Sequence, residues 1–106
     1  MAPAQFDIEV RSEGEVVTVT PTGELDIATA GRLRELLHRQ ERRARVLVLD
    51  LSRLDFIDVV GLRVVLEEQQ RSRQDGFALD LVVGSGAAQR LFDLARATEL
   101  LSGVID

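Results

Sequence analysis

Hydrophobic and polar positions alternate strictly at the start of the chain. Residues 6–10 place apolar side chains between charged ones, and residues 16–20 form a second run rich in β-branched side chains. A period of two residues is typical of strands that bury one face. The turn residues Ser12–Gly14 leave room only for a short connection, which makes the two strands antiparallel. The sequence therefore predicts an opening hairpin near an edge of a sheet.

Apolar residues return at helical spacing in three later segments. The first predicted helix covers about residues 28–43, the second covers about 59–73, and the third follows the turn Gly84–Gly86. Each has one apolar stripe that can be buried. The residues predicted to face inward are Ala30, Leu33, Leu36 and Leu37, then Leu62, Val65 and Leu66, then Leu91, Leu94 and Ala95.

Two nearly continuous apolar runs separate these helices. Val46–Leu51 and Phe77–Val83 lack the alternation of the opening hairpin, which favours strands covered on both faces and paired in parallel. Residues 99–106 fit either a short helix or a final strand. The predicted order is β-β-α-β-α-β-α. It describes a single α/β domain over residues 1–106, whose mixed sheet opens with an antiparallel hairpin and has helices packed against it.

The charge balance limits the classes of partner. The 106 residues include 13 basic side chains, all of them arginine, and 18 acidic ones, for a formal net charge of −5. General nucleic-acid binding depends on neutralising phosphates, so this balance argues against it. The chain has no cysteine, no signal-like start and no apolar run near the roughly 20 residues of a membrane span. We therefore expect a cytoplasmic protein that binds no nucleic acid directly and inserts into no membrane.

The residues that could carry catalysis do not form a set. His38, the sole histidine, falls at an exposed position of the first predicted helix, and the chain has no lysine. Asp26 and Asp58 both follow strands and precede helices; paired carboxylates there suit acid–base work or a magnesium ion, but helix capping is the commoner role. The turn Gly84–Gly86 lacks the third glycine of a dinucleotide fingerprint, and Ser85 is expected to cap the third helix. The sequence predicts no enzyme, no metal site and no cofactor.

The segment Leu54–Leu62 carries the strongest local signal. It ends a strand-like run and opens a helix, and Asp58 stands where the first backbone N–H groups of that helix are free. Both positions between Asp58 and Gly61 are valine, so no hydroxyl is available there. The glycine permits close approach by a partner or by the neighbouring strand. The alternative for the two valines is that they pack into the core. We expect a partner to dock on a surface made of Asp26, Asp58, Val59, Val60, Gly61 and Leu62.

Three parts of the chain together carry a family pattern. Gly23–Asp26 leads from a strand to a helix, Leu47–Ser52 is followed by Phe56–Asp58 and Gly61-Leu62, and Leu79–Leu94 forms a strand, a loop and a helix. Together they resemble a STAS domain of the anti-sigma factor antagonist type, over nearly the whole chain. The resemblance implies a non-catalytic protein that binds an anti-sigma factor with a serine-kinase-type ATPase fold and thereby frees a sigma factor. It also leaves room for a homodimer.

In that family the aspartate is commonly followed by a serine, a second hydroxyl residue and a glycine. Phosphorylation of the first hydroxyl abolishes partner binding. Asp58 and Gly61 match this motif, whereas Val59 occupies the phosphoacceptor position and Val60 the next one. The resemblance therefore implies an antagonist without the usual phosphorylation switch. The hydroxyl residues nearest to the proposed surface are Thr29, Ser52 and Ser85.

Two other binding functions are compatible with the same resemblance. One is a STAS subunit that regulates an ABC-type lipid transporter, which would co-purify with the ATPase of that transporter. The other is a scaffold in a stress-signalling assembly, which would form a large particle. Neither function needs a catalytic group.

Overall fold

The computed structural model describes residues 6–97. Its elements, in chain order, are β1 (Asp7–Glu13), β2 (Val16–Leu25), α1 (Ala30–Glu41), β3 (Val46–Asp50), β4 (Leu54–Ile57), α2 (Val59–Asp75), β5 (Ala78–Val82) and α3 (Ala87–Ala97). The predicted fold class and element order are confirmed with one correction. Residues 54–57 form a separate short strand, β4, and not the end of the preceding one. The expectation for residues 99–106 lies outside the described residues.

Strand β2 is ten residues long and changes partner along its length. It pairs antiparallel with β1, in parallel with β3 over its first half, and in parallel with β4 at its end. The β2–β4 register shifts between Gly23 and Glu24, and Gly23 has a φ of 91° that glycine adopts without strain. A bulge of this kind bends a strand. The bend brings Leu25, the last residue of β2, opposite Ile57, the last residue of β4.

The sheet has the order β1-β2-β3-β5 and buries one face. On that face Leu47 and Leu49 of β3 are fully buried, in register with apolar residues of β2 and β5. The prediction that β3 and β5 are covered on both faces is wrong. Val48 is half-buried, and Val82 is exposed. Valine is favoured in strands by its branched shape whether or not its face is covered, so an apolar run alone does not establish two buried faces.

The helices cover the buried face, mostly through the predicted stripes. In α1 every predicted inward residue is buried except Leu36, which is half-buried. In α3 the prediction for Leu94 is wrong, because that side chain is 60% exposed. The buried stripe of α3 is instead formed by Ala88, Phe92 and Ala95, which have an equally regular helical spacing. Within residues 6–97, none of the helices has the length and hydropathy of a membrane-spanning segment.

Candidate partner-binding surface

Helix α2 begins directly after β4, and Asp58 caps it. The Asp58 Oδ1 atom accepts a hydrogen bond from the backbone N–H of Gly61 at 3.0 Å, and the Asp58 carbonyl accepts one from the N–H of Leu62 at 2.9 Å. Such a cap is worth about 1 kcal/mol. The predicted capping role of Asp58 is confirmed. The carboxylate is therefore engaged in holding the helix start.

Gly61 lies where the helix meets the end of β2. A Cβ atom at this position would stand 2.7 Å from the Leu25 Cγ atom and 2.8 Å from the Leu25 carbonyl oxygen. The same carbonyl accepts a hydrogen bond from the Asp58 N–H at 3.2 Å. Of the two explanations that the sequence left open for this glycine, the structure favours close approach by the neighbouring strand. The first turn of α2 is thus fixed to the sheet.

The first two side chains of α2 face outward. Val59 is 47% exposed and Val60 is 38% exposed, so neither is sealed in the core. Ile27, in the loop after β2, and Phe56, on β4, are also exposed apolar residues at this edge. We call the following residues the cap surface: Ile27, Phe56, Asp58, Val59 and Val60.

Two members of the predicted surface lie underneath it. Gly61 is buried, and Leu62 is only 1% exposed. Their position under the first turn means that they support the exposed valines and are not themselves available for contact in the free chain. The part of the predicted surface that a partner can reach is formed by Asp58, Val59 and Val60, with Asp26 beside them.

Asp26 shares the edge of the sheet with Asp58, as predicted, because each follows one of the paired ends of β2 and β4. It does not cap α1, however. The N-cap of α1 is Thr29, and the Asp26 Oδ1 atom accepts a hydrogen bond from the Ala28 N–H at 2.9 Å. The Thr29 hydroxyl accepts from the Asp26 N–H at 3.0 Å and donates to the Glu24 carbonyl at 2.7 Å. Asp26 therefore closes a turn before the helix.

A shallow groove of about 270 Å³ adjoins the cap surface between β4 and α3. Its apolar wall includes Phe56 and Leu91, and the charged side chains of Asp55 and Arg90 stand along it. The sequence prediction missed this groove because it assigned the wrong face of α3 to the core. No signal in the sequence indicated it, because alternation with the polar Asp55 would place Phe56 in the core.

The other hydroxyl residues near this edge do not stand at the start of α2. The Thr29 hydroxyl is engaged in the turn described above, and the Ser52 hydroxyl donates to the Asp50 Oδ1 atom at 2.6 Å. The expectation that Ser85 caps α3 is wrong. The helix begins at Ala87, and it is the Gly86 carbonyl that accepts its first backbone hydrogen bond, so Ser85 lies one residue too early.

Two ionisable residues differ from their predicted surroundings. His38 is half-buried instead of solvated, because α2 packs beside α1. Glu68 on α2 is buried and was not predicted as a functional residue. A signal for it exists in the sequence, since Glu68 follows Gly61, Val64 and Val65 at the spacing of the inward face of α2.

Comparisons with known proteins identify the family of the chain and solved structures of similar fold. Residues 7–104 match the family description of the STAS domain. An anti-sigma factor antagonist from Mycobacterium paratuberculosis is 25% identical; the match covers 99% of this chain and 98% of that one, with a TM-score of 0.73.

Two further solved structures extend the comparison. The unphosphorylated anti-sigma factor antagonist SpoIIAA has the same fold at 19% identity and a TM-score of 0.65, over 94% of this chain and 100% of that one. A protein named Mglu is 30% identical with a TM-score of 0.63, but the match covers 69% of this chain and only 18% of that one. A similar segment therefore also occurs within a much longer protein.

Proposed function

The chain belongs to the STAS domain family, and we propose that it is an anti-sigma factor antagonist. In this proposal the chain binds an anti-sigma factor through the cap surface and thereby frees a sigma factor. It catalyses no reaction, and phosphorylation at the start of α2 does not regulate it. The observation that carries the proposal is an exposed Val59 on a helix start that is fixed to the sheet. The likeness to the mycobacterial antagonist along the full length of both chains supports it.

The cap surface has the properties of a preorganised binding site. Exposed apolar side chains gathered at one edge mark interaction sites in soluble proteins. The contacts of Asp58 and Gly61 hold the first turn in place before any partner arrives, which lowers the ordering cost of binding. The first N–H groups of a helix have no acceptor within it, and among residues 6–97 the Asp58 side chain accepts a hydrogen bond from Gly61 alone. A partner can therefore contact valine side chains and helix N–H groups together.

The absence of a hydroxyl at position 59 changes the regulation that the family pattern would provide. A phosphate on a serine adds about 1.5 to 2 negative charges and three acceptor oxygens. A helix N-terminus tolerates that charge, so inhibition in relatives has to come from clash and repulsion across the interface. Val59 accepts no phosphate and offers an apolar contact in its place. The chain is then competent to bind without prior dephosphorylation.

Release of a sigma factor is the direct test of this function. Each anti-sigma factor of the native host is purified in complex with its fluorescently labelled sigma factor, and the unmodified chain is added. We expect dose-dependent loss of fluorescence anisotropy from one of the complexes. If no complex responds, and the chain instead co-purifies with an ABC-type ATPase or in a large particle, the proposal is wrong and one of the other two binding functions takes its place.

The lack of a switch is tested separately with Val59→Ser. The responsive anti-sigma factor is incubated with ATP and either the wild type or this variant, and intact mass is measured. We expect one phosphate on the variant, with loss of sigma release, and none on the wild type. A wild type that gains a phosphate on Thr29, Ser52 or Ser85 and then loses activity would contradict the proposed lack of regulation while leaving the antagonist function standing.

A further inference from the structure

Ionisable side chains meet in the contact between α1 and α2, about 14 Å along α2 from its start. Glu68 is 2% exposed, and within residues 6–97 its Oε2 atom has no hydrogen-bond partner. One ligand atom from each of His38, Glu41 and Glu68 lies within 4.8 Å of the other two. We call His38, Glu41, Glu68 and Arg71 the inter-helix cluster.

The buried carboxyl of Glu68 is costly in its present surroundings. Burial, followed by the hydrogen bond and negative charge of Glu41, raises the pKa of Glu68 to about 8 from its ordinary value of 4.5. A buried polar atom without a partner keeps the full penalty of its lost hydration. In native proteins such a group is explained by an ordered water, a bound ion or a functional role.

Arg71 holds Glu41 in place, but it does not contact every atom of the cluster that could bind a metal ion. Its Nε atom donates to Glu41 Oε2 at 2.9 Å and its Nη2 atom to Glu41 Oε1 at 2.8 Å, and Asp75 lies 4.0 Å from the same Nη2. Burial works to raise the pKa of Glu41, but the hydrogen bonds from Arg71 and Glu68, with the charge of Arg71, outweigh it and leave that pKa below its ordinary value. Each carboxylate oxygen has a second lone pair, so Glu41 can accept from Arg71 and still bind a cation.

We propose that His38, Glu41 and Glu68 form a binding site for one zinc-like divalent transition-metal ion. Imidazole and carboxylate together suit zinc, whereas magnesium and calcium prefer oxygen alone. His38 and Glu41 are three residues apart on α1 and so share a face, opposite Glu68 on α2. Tetrahedral zinc places its ligand atoms about 3.4 Å apart. The three ligand atoms here lie within 4.8 Å of one another, so modest rotation of the side chains brings them to that distance.

Charge and access fit the same ion. Once the ion displaces the carboxyl proton of Glu68, Glu41 and Glu68 together carry more negative charge than Arg71 neutralises. The ion then supplies the partner that the Glu68 Oε2 atom lacks within residues 6–97. Arg71, by bonding Glu41, orients a ligand in the way that outer hydrogen bonds do around known metal sites. His38 and Arg71 also line an open groove of about 410 Å³ between α1 and α2. That groove gives the ion an entry path and a water molecule the fourth position.

The test is a calorimetric titration of the chelator-treated, full-length chain with ZnCl₂. We expect saturation at one ion per chain. His38→Ala and Glu68→Gln should each weaken binding at least about tenfold, as the loss of a ligand must exceed the effect of losing an outer hydrogen bond. Glu35→Gln, an exposed glutamate on α1, is the matched control and should bind like the wild type. Glu68→Gln keeps the shape of the side chain, so misfolding would not account for its loss of binding.

A second measurement, visible absorption, does not depend on the heat of binding. CoCl₂ bound by one imidazole and two carboxylates should give a visible absorption band that is absent from Glu68→Gln. Failure to saturate at one ion, equal binding by the variants and the wild type, or a preference for MgCl₂ would each overturn the proposal. These outcomes do not bear on the cap surface, which shares no residue with the cluster.

Discussion

The start of α2 exposes apolar side chains, whereas its middle buries a carboxyl group. Both arrangements are the reverse of the usual pattern of burial. At the start of α2, Asp58 and Gly61 have their polar contacts satisfied, while apolar Val59 and Val60 face solvent. About two and a half turns later the apolar residues are inside, and the carboxyl group of Glu68 is buried with them. Among the described residues, the first arrangement leaves its apolar side chains exposed, and the second leaves one carboxyl oxygen without a hydrogen-bond partner.

The difference indicates what each part can bind. An exposed apolar surface on a rigid backbone gains most from a protein that buries it. A buried carboxyl gains most from a proton or a cation. The same helix thus presents a surface for a macromolecule at one end and a site for a small charged species in its middle. Each part can be tested by changing residues on which the other part does not depend.

The largest expected change is in stability, from Leu62→Ala. Removing this fully buried side chain should lower the free energy of unfolding by about 3 kcal/mol, from lost burial and the cavity left behind. Val59→Ala is the control and should stay within about 0.5 kcal/mol, since an exposed side chain contributes little. Urea unfolding measures both. A large loss for Val59→Ala would show that this valine supports the fold and is not reserved for a partner.

Gly61→Ala should cost about 2 kcal/mol, because the added Cβ atom overlaps the Leu25 carbonyl and a buried side chain. The matched control is Gly31→Ala, in the first turn of α1. A Cβ atom there meets nothing within 4 Å, so alanine should gain up to about 1 kcal/mol from helix propensity. Thermal unfolding of the two variants should therefore shift in opposite directions. Shifts of the same sign would contradict the close approach of β2 to α2.

Glu68→Gln should flatten the pH dependence of stability of the metal-free chain. The pKa of Glu68 is raised when folded, so the native state holds a proton that the unfolded state has lost between about pH 4.5 and 8. Stability contributed by this group is full below about pH 4.5 and falls as pH rises toward 8. One such group changes the free energy by at most about 1.4 kcal/mol per pH unit.

Urea midpoints at about pH 5.5 and 7, with chelator present, measure this effect. The wild type should lose up to about 2 kcal/mol more than Glu68→Gln over that interval. Glu35→Gln, which alters an exposed group, should follow the wild type. Equal slopes in all three proteins would show that Glu68 is not buried as a neutral acid.

The start of α2 was predictable because its signals are local. An aspartate three residues before a glycine specifies a cap within a single turn, and the two intervening valines are read directly from the sequence. Strand β4 was not predicted as a separate strand, because Leu54–Ile57 follow β3 after a short turn and resemble its continuation. The buried face of α3 was predicted wrongly because the predicted residues Leu91, Leu94 and Ala95 have helical spacing too. Their spacing is as regular as that of the residues that are buried, Ala88, Phe92 and Ala95.

The inter-helix cluster was not predicted from the sequence, for a different reason. Glu68 and Glu41 are separated by 26 intervening residues and meet only because α1 and α2 pack side by side. A glutamate on an apolar stripe indicates an unusual position, but which side chains surround it depends on the crossing of two helices. Residue patterns along one helix carry no such information.

The most direct measurement compares the affinity of Val59→Glu and Val82→Glu for the anti-sigma factor whose sigma factor the chain releases. Both valines are about equally exposed, at 47% and 42%, but Val82 lies on β5, which contributes no residue to the cap surface. A glutamate in the first turn also suits the helix dipole, so Val59→Glu should fold normally. Docking on the cap surface predicts an affinity loss of about 100-fold, or about 2.8 kcal/mol, for Val59→Glu alone. Wild-type affinity in Val59→Glu, or an equal loss in Val82→Glu, would contradict it.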